Sequence, residues 1–133
     1  MDGETTIAIR WRDLDALGHV NNAVYATYLE EARDRWLTGV LGRGESLWDY
    51  VLARLAIDFR RELKQDDGPV VVRTRLGRLG TSSVTLHEEI AARAGWVAAE
   101  AESVIVARDA AAGRSRPLTE AERAALTAVL APG

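Results

Sequence analysis

The ten residues from Asp13 to Asn22, DLDALGHVNN, gather two carboxylates, one of the chain's two histidines and two adjacent asparagines just ahead of its most helix-like segment. A solvated aspartate is ionised at neutral pH and only accepts hydrogen bonds, so it can attack a carbonyl carbon or take a proton from water. Either route builds negative charge on the carbonyl oxygen. Free backbone N–H groups and the positive dipole end of a helix start are suited to hold that charge, at roughly 2.7 to 4 kcal/mol per donor in comparable sites. Asp15 and Asp13 are therefore the leading candidates for chemistry, and Asn21 or Asn22 is positioned to cap the following helix. Gly18 would permit a turn before that helix. His19 is placed to orient the loop or line a pocket rather than to act as the base.

Other chemistries lack their residues. The chain has no cysteine, which removes disulfides, thiolate nucleophiles and cysteine metal sites. No serine stands in Gly-x-Ser-x-Gly, and neither a dinucleotide-binding nor a P-loop glycine pattern occurs. His19 and His87 are far apart without repeated ligand spacing, so neither a metal nor a cofactor is expected. A formal net charge of -3 offers no general attraction to nucleic acid or anionic lipid. No apolar run reaches membrane-spanning length and the N-terminus has no signal-like stretch, so a cytoplasmic protein with no membrane association is expected.

The elements that must position the motif follow from periodicity. With 133 residues, 47% of them hydrophobic and 28% charged, the balance is that of one globular domain over 1–133. In residues 5–12, Ile7, Ile9 and Trp11 alternate with polar or small residues, predicting a half-buried strand. From Asn22 the spacing turns helical, with Tyr25, Tyr28, Leu29, Ala32, Trp36 and Val40 on one stripe and Gly39 and the LGRG run ending it. Residues 45–50 read as loop or short helix. Four strands then follow: one on the alternation of Val51, Ala53, Leu55, Ile57 and Phe59, then VVVRTRLGRLG, SSVTLHEEIAAR and WVAAEAESVIVARD. The short connections at 65–69 and 94–95 make these antiparallel. The small Ala99 and Ala101 share a face on which the long helix would lie. AAGRSRP reads as loop, and TEAERAALTAVL as a C-terminal helix with Thr119 as N-cap and Glu122 at the capping-box position.

The stretch from Arg10 to Leu37, RWRDLDALGHVNNAVYATYLEEARDRWL, resembles the signature of hotdog-fold acyl-CoA thioesterases of the 4-hydroxybenzoyl-CoA thioesterase type. Its pattern is Asp-x-Asp-x-x-Gly-His-Val-Asn-Asn followed by Tyr-x-x-Tyr-x-Glu, and the later IDFRREL and VVVRTRLGRLGTSS stretches run in the family's order. The resemblance implies an α+β hotdog fold: a five-stranded antiparallel sheet wrapped around one long central helix, here with a short C-terminal helix. It also implies acyl thioester hydrolysis at a subunit interface, in homodimers and often homotetramers. The second aspartate of the pair, Asp15, is then catalytic, the Asn22 backbone N–H is the oxyanion donor, and Gly18, His19 and Tyr25 contribute to the substrate site.

The 4-hydroxybenzoyl enzyme carries a basic cluster for the nucleotide phosphates near the turn into its fourth strand, where this chain has Gly80, Thr81, Ser82 and Ser83. Coenzyme A phosphates would then be met by Ser82 or by arginines from Arg60, Arg61, Arg75 and Arg78, with Lys64 a further substitute. Alternatively, the acyl group would arrive on an acyl carrier protein. Two other readings of the same fold stay open: a non-catalytic module that binds acyl thioesters, and a hotdog dehydratase.

Overall fold

The computed structural model of the chain describes residues 3–42 and 49–130. Strand β1 (Gly3–Ile7) leads through the motif loop to helix α1 (Asn22–Leu41). Strands β2 (Tyr50–Phe59), β3 (Val70–Leu79), β4 (Ser83–Ala91) and β5 (Val97–Asp109) follow, then a two-residue strand β6 (Arg114–Ser115) and helix α2 (Glu120–Val129). All pairings are antiparallel. The sheet order is β1-β3-β4-β5-β2, with β6 appended to β5, so the predicted strand–helix–four-strand plan holds and AAGRSRP contributes a short extra strand rather than only loop. Among the described residues no helix is long and apolar enough to cross a membrane.

Helix α1 forms where the sequence places it because its apolar stripe has a sheet to bury against. Tyr25, Tyr28, Leu29, Ala32, Trp36 and Leu37 are all buried, and α1 packs against β3, β1 and α2. The helix runs past Gly39 and ends at Gly42, whose φ of +87° suits glycine and whose N–H donates to the Thr38 carbonyl at 2.9 Å. Ala99 joins Tyr25, Tyr28 and Leu29 in the core, consistent with a small side chain admitting a thick element.

Three expectations need correction. Trp11 does not continue the inward face of β1. It is 79% exposed in a 3-10 turn at Trp11–Asp13, because the Asp13 carboxylate takes the Arg10 backbone N–H and guanidinium and folds the chain back. The alternation in β2 is interrupted by a bulge between Leu52 and Arg54, so Tyr50 and Leu52, rather than Val51 and Ala53, share the inner face with Leu55, Ile57 and Phe59. Of the segment 45–50, read as loop or short helix, positions 45–48 lie outside the described residues and Tyr50 opens β2.

The core is divided. One apolar cluster centres on Tyr25, Tyr28 and Leu29, and the other on Trp36, Leu37, Leu86 and Leu126. Arg33 of α1 and Glu88 of β4 form a buried ion pair at 3.3 Å, with the Ser103 hydroxyl also on the Glu88 carboxylate. Burial pushes the Glu88 carboxyl above its usual range, and the Arg33 charge and the Ser103 hydroxyl only partly oppose it.

The start of helix α2 is tied down by a buried carboxylate. Glu122 is 1% exposed and receives a forked pair of hydrogen bonds from Arg116 at 2.7 and 3.0 Å, the Thr119 N–H at 2.8 Å and the Tyr50 hydroxyl. The Thr119 hydroxyl returns the capping bond by accepting from the Glu122 N–H, as the capping-box spacing predicts. Burial alone would raise the Glu122 pKa, but the bonds from Arg116, Thr119 and Tyr50 outweigh it and bring it down from 4.5 to about 2. A carboxyl lowered on folding stabilises the fold fully above its unfolded pKa, and that contribution is lost as pH falls through the folded value. The stability gap between wild type and Glu122→Gln, measured by denaturant unfolding, should therefore be widest near neutral pH and close between pH 4.5 and about 2. A gap that does not change with pH would remove Glu122 as the titrating clamp.

Candidate active site

The motif folds into a closed loop. Leu14 and Val20 form an antiparallel bridge, the Asp15 N–H donates to the His19 carbonyl at 2.8 Å, and the Asn21 N–H donates to the Asp13 carbonyl at 2.9 Å. Gly18 sits at the tip with φ +80°, a conformation that disfavours any side chain. The Val20 N–H donates to the Leu63 carbonyl at 2.8 Å and ties the loop to the segment after β2.

Asp13 and Asp15 take different environments two residues apart. Asp13 is 2% exposed and accepts from the Arg10 N–H at 2.9 Å, the Arg10 guanidinium at 2.8 and 3.1 Å, and the Tyr28 hydroxyl at 2.8 Å. Burial would raise its pKa, but the bonds from Arg10 and Tyr28 outweigh that and hold it below the usual carboxylate range. Both Asp13 oxygens are occupied, which leaves this acid no access to a substrate. Asp15 is half-buried, and its Oδ1 accepts from the Leu17 N–H at 2.9 Å and the His19 N–H at 3.3 Å. Its Oδ2 has no protein partner among the described residues.

That free oxygen belongs to a residue lining a cleft of about 350 Å³. The structure brings His19, Asn22, Tyr25, Arg60 and Arg61 to the same cleft, along with Leu17, Val20, Phe59 and Glu62, which sequence reasoning did not single out. Asn21, not Asn22, is the N-cap, with its side-chain oxygen accepting from the Ala23 N–H at 2.9 Å. Asn22 is thus the first helical residue, and its N–H takes no partner among the described residues, as expected for one of the orphan donors at a helix start. Tyr25 meets Phe59 edge-on with ring centroids 5.0 Å apart, and burial pushes its phenol above the usual value, so the hydroxyl stays protonated at neutral pH. His19 Nε2 lies 3.1 Å from the Glu62 carboxylate, which positions the ring. Phe59 was legible as the last apolar residue of the β2 alternation; Glu62 had no signal, since its role depends on meeting His19.

The residues considered for phosphate contacts separate. Arg60 is paired with Glu100 at 3.0 Å and Asp58 at 3.8 Å, while Arg61 stacks on Trp96 with 4.0 Å from guanidinium carbon to ring centroid. Arg75 lies on the outer face of the sheet beside Arg73, His87 and Glu89. Arg78 follows the β3 bulge, and Ser82 lies at the β3–β4 turn, where its carbonyl accepts from the Ala107 N–H at 2.8 Å. These last three do not line the Asp15 cleft. Among the described residues no group of three or more His, Asp or Glu side chains is arranged to hold a metal ion.

The architecture, an antiparallel sheet around one long helix with a short C-terminal helix, is the hotdog fold. Residues 9–126 match the family model of the thioesterase-like superfamily, and the chain belongs to that family. It is similar to a thioesterase from Thermus thermophilus whose crystal structure contains coenzyme A and zinc: 36% identity, 95% of this chain and 92% of that one covered, TM-score 0.85. It is also similar to a thioesterase from Bacillus stearothermophilus, described as predicted, at 28% identity over the whole of both chains and a TM-score of 0.89. A 1,4-dihydroxy-2-naphthoyl-CoA thioesterase from Synechocystis shares the fold alone, at 18% identity and a TM-score of 0.83, with 99% of this chain and all of that one covered. No curated protein matches the chain at a significant level. Family membership supports thioester hydrolysis as the general activity.

The Tyr28 hydroxyl tests whether Asp13 organises this loop. Tyr28→Phe keeps the ring but removes one bond to a buried carboxylate, and should cost about 1.5–3 kcal/mol in denaturant unfolding. A loss under about 0.5 kcal/mol, the range of ordinary surface substitutions, would mean that the bond does not hold the loop.

Proposed function

We propose that this chain hydrolyses acyl-CoA thioesters, with Asp15 as nucleophile or general base and the Asn22 N–H as oxyanion donor. The observation that carries the reading is the meeting, in one cleft, of a carboxylate with an uncommitted oxygen and a helix-start N–H with no partner among the described residues. In the nucleophilic route Oδ2 bonds to the thioester carbon and the C–S bond breaks. The sulfur leaves with the bonding pair and takes up a proton, and water then cleaves the mixed anhydride. In the general-base route Asp15 takes a proton from water as the hydroxide adds to the carbon, and the thiolate takes that proton when the C–S bond breaks. Both routes place the developing oxyanion at the start of α1, where the helix dipole favours negative charge. The two bonds to Oδ1 fix the carboxylate rotamer and leave Oδ2 for the reaction.

Free-thiol release from short, long and aromatic acyl-CoAs decides the assignment. Asp15→Asn is isosteric and should lower kcat by about 10²-fold or more. Equal release by wild type and variant would remove Asp15 from the mechanism. Tight binding of acyl-CoA without release of any thiol would favour the non-catalytic acyl-thioester module.

The same reading includes a homodimer formed along β2. This strand ends the sheet, so one row of its backbone groups has no strand neighbour among the described residues, and Val51, Leu52 and Phe59 are exposed on it at 38%, 46% and 51%. Phe59 also lines the Asp15 cleft, so a second copy seated on β2 would help close the site against water. Leu52→Asp should shift sedimentation from dimer to monomer and reduce thiol release; a monomeric wild type with full activity would overturn this assembly.

A further inference from the structure

Arg33 of α1 stands between two sets of acids. Inward, its guanidinium meets the Glu88 carboxylate of β4 at 3.3 Å, and the Ser103 hydroxyl of β5 donates to the same carboxylate. That arrangement is incomplete. The Arg33 Nε, the Glu88 Oε2 and the Oγ1 of Thr74, which pairs with Glu88 across β3 and β4, are buried without hydrogen-bond partners among the described residues. Outward, Arg33 lines a cleft of about 390 Å³ together with Glu30, Asp34, Tyr50 and the apolar Leu52 and Ile105. Glu30 and Asp34 are exposed and form no ion pair among the described residues. Glu30 precedes Arg33 by three positions, a spacing at which helix side chains meet. Burial and the like charge of Glu30 raise the Asp34 carboxyl while Arg33 opposes them, so the Arg33 charge is already felt at the cleft.

We propose that Arg33 is a two-position cation: it pairs with Glu88 while that carboxylate is charged, and swings to Glu30 and Asp34 in the cleft when Glu88 binds a proton. The proton comes from solvent and goes to the uncommitted Oε2 of Glu88; no other covalent bond forms or breaks. A neutral Glu88 no longer attracts the guanidinium, and a cation left unpaired in the core is far less stable than one facing acids at a cleft. One ionised acid of the two suffices to hold it there. Glu88 is faced by Arg33 from α1, Ser103 from β5 and Thr74 from β3. Burial is the largest influence on its carboxyl and lifts it above the usual 4.5, while Arg33, Ser103 and the adjacent His87 work to lower it. Asp34 is faced by Glu30, Glu31 and Arg33 on its own helix and by Tyr50 of β2, whose hydroxyl is held by Glu122. The exchange therefore runs as pH falls from neutrality. It releases the point at which the second half of α1 is fixed to the sheet, while Asp13 continues to hold the start of the helix.

Nuclear magnetic resonance of the Arg33 Nε–H and of the Glu88 carboxyl carbon, followed from neutrality toward pH 4.5, reads the exchange on the resting protein. In wild type both signals should move in one shared step. In Glu88→Gln, which keeps the shape and removes the charge, the Arg33 signal should hold its acid position at every pH. In Glu30→Gln/Asp34→Asn the cation has no second acceptor, and the Glu88 step should move to lower pH. Linkage gives an independent reading. A carboxyl raised on folding stabilises the fold below its unfolded value, and that contribution is lost as pH rises through the folded value. Wild type should therefore gain on Glu88→Gln in urea midpoint as pH falls, the reverse of the Glu122 pattern. At neutral pH, amide exchange in the second half of α1 should be faster in Glu88→Gln than in wild type. A wild-type Arg33 signal that does not move while Glu88 titrates would overturn the proposal, as would a step unchanged in Glu30→Gln/Asp34→Asn. Equal amide exchange would remove the coupling to the helix. If Glu88→Gln does not fold, the cleft variant still decides, because both of its positions are exposed.

Discussion

Asp13 receives the Arg10 backbone N–H, the Arg10 guanidinium and the Tyr28 hydroxyl on its carboxylate, while its own carbonyl accepts the Asn21 N–H. These bonds join the end of the β1 segment, both ends of the motif loop and the second turn of α1. An unpaired carboxylate buried at this depth would be very costly, so the chain between Asp13 and Asn21 is held to the path that keeps all these donors in place. Asp15 inherits its position from that path. The pair Asp-x-Asp therefore divides its labour by environment: one acid is surrounded by donors and organises, and the other keeps an oxygen free at the mouth of a cleft.

A second buried charge works on the same helix one turn beyond Tyr28. Arg33 and Glu88 meet between the two apolar clusters, and the Arg33 Nε, Glu88 Oε2 and Thr74 Oγ1 atoms are buried without hydrogen-bond partners among the described residues. A pair so incompletely satisfied is weak support for stability. Its effect is on register, because sliding α1 along the sheet would separate the two charges inside the core. Asp13 and Glu88 thus pin α1 at two points, and the helix start that faces Asp15 is set by both.

Periodicity made much of this architecture legible. The strand–helix–four-strand order, the antiparallel pairing, the Thr119–Glu122 capping box and the apolar stripe of α1 all follow from local pattern, since each burial face repeats with the period of its own element. Where the pattern misled, a contact from elsewhere intervened. Trp11 kept the strand alternation, yet the Asp13 bonds to Arg10 turned the chain. The β2 alternation was regular, yet pairing with β5 introduced a bulge at Ala53. The burial of Arg33 had no local signal, because it depends on Glu88 of β4 lying opposite it.

The candidate site divides in the same way. The motif alone singled out Asp15, Gly18, His19, Asn22 and Tyr25, because an acid, a turn glycine and a helix start close together in the chain are local features that neighbouring chain atoms enforce. Which arginines gather around them was decided only in three dimensions. Arg60 and Arg61 are adjacent in sequence, and one is neutralised by Glu100 from β5 while the other is laid on Trp96 from the β4–β5 turn. The partners lie 40 and 35 positions away in the chain, and only the pairing of β2 with β5 brings them within reach. Local sequence determined which candidate groups gather at the motif; long-range strand pairing determined which charges stand free beside them, because a charge is available to a ligand only where no folded neighbour has already taken it.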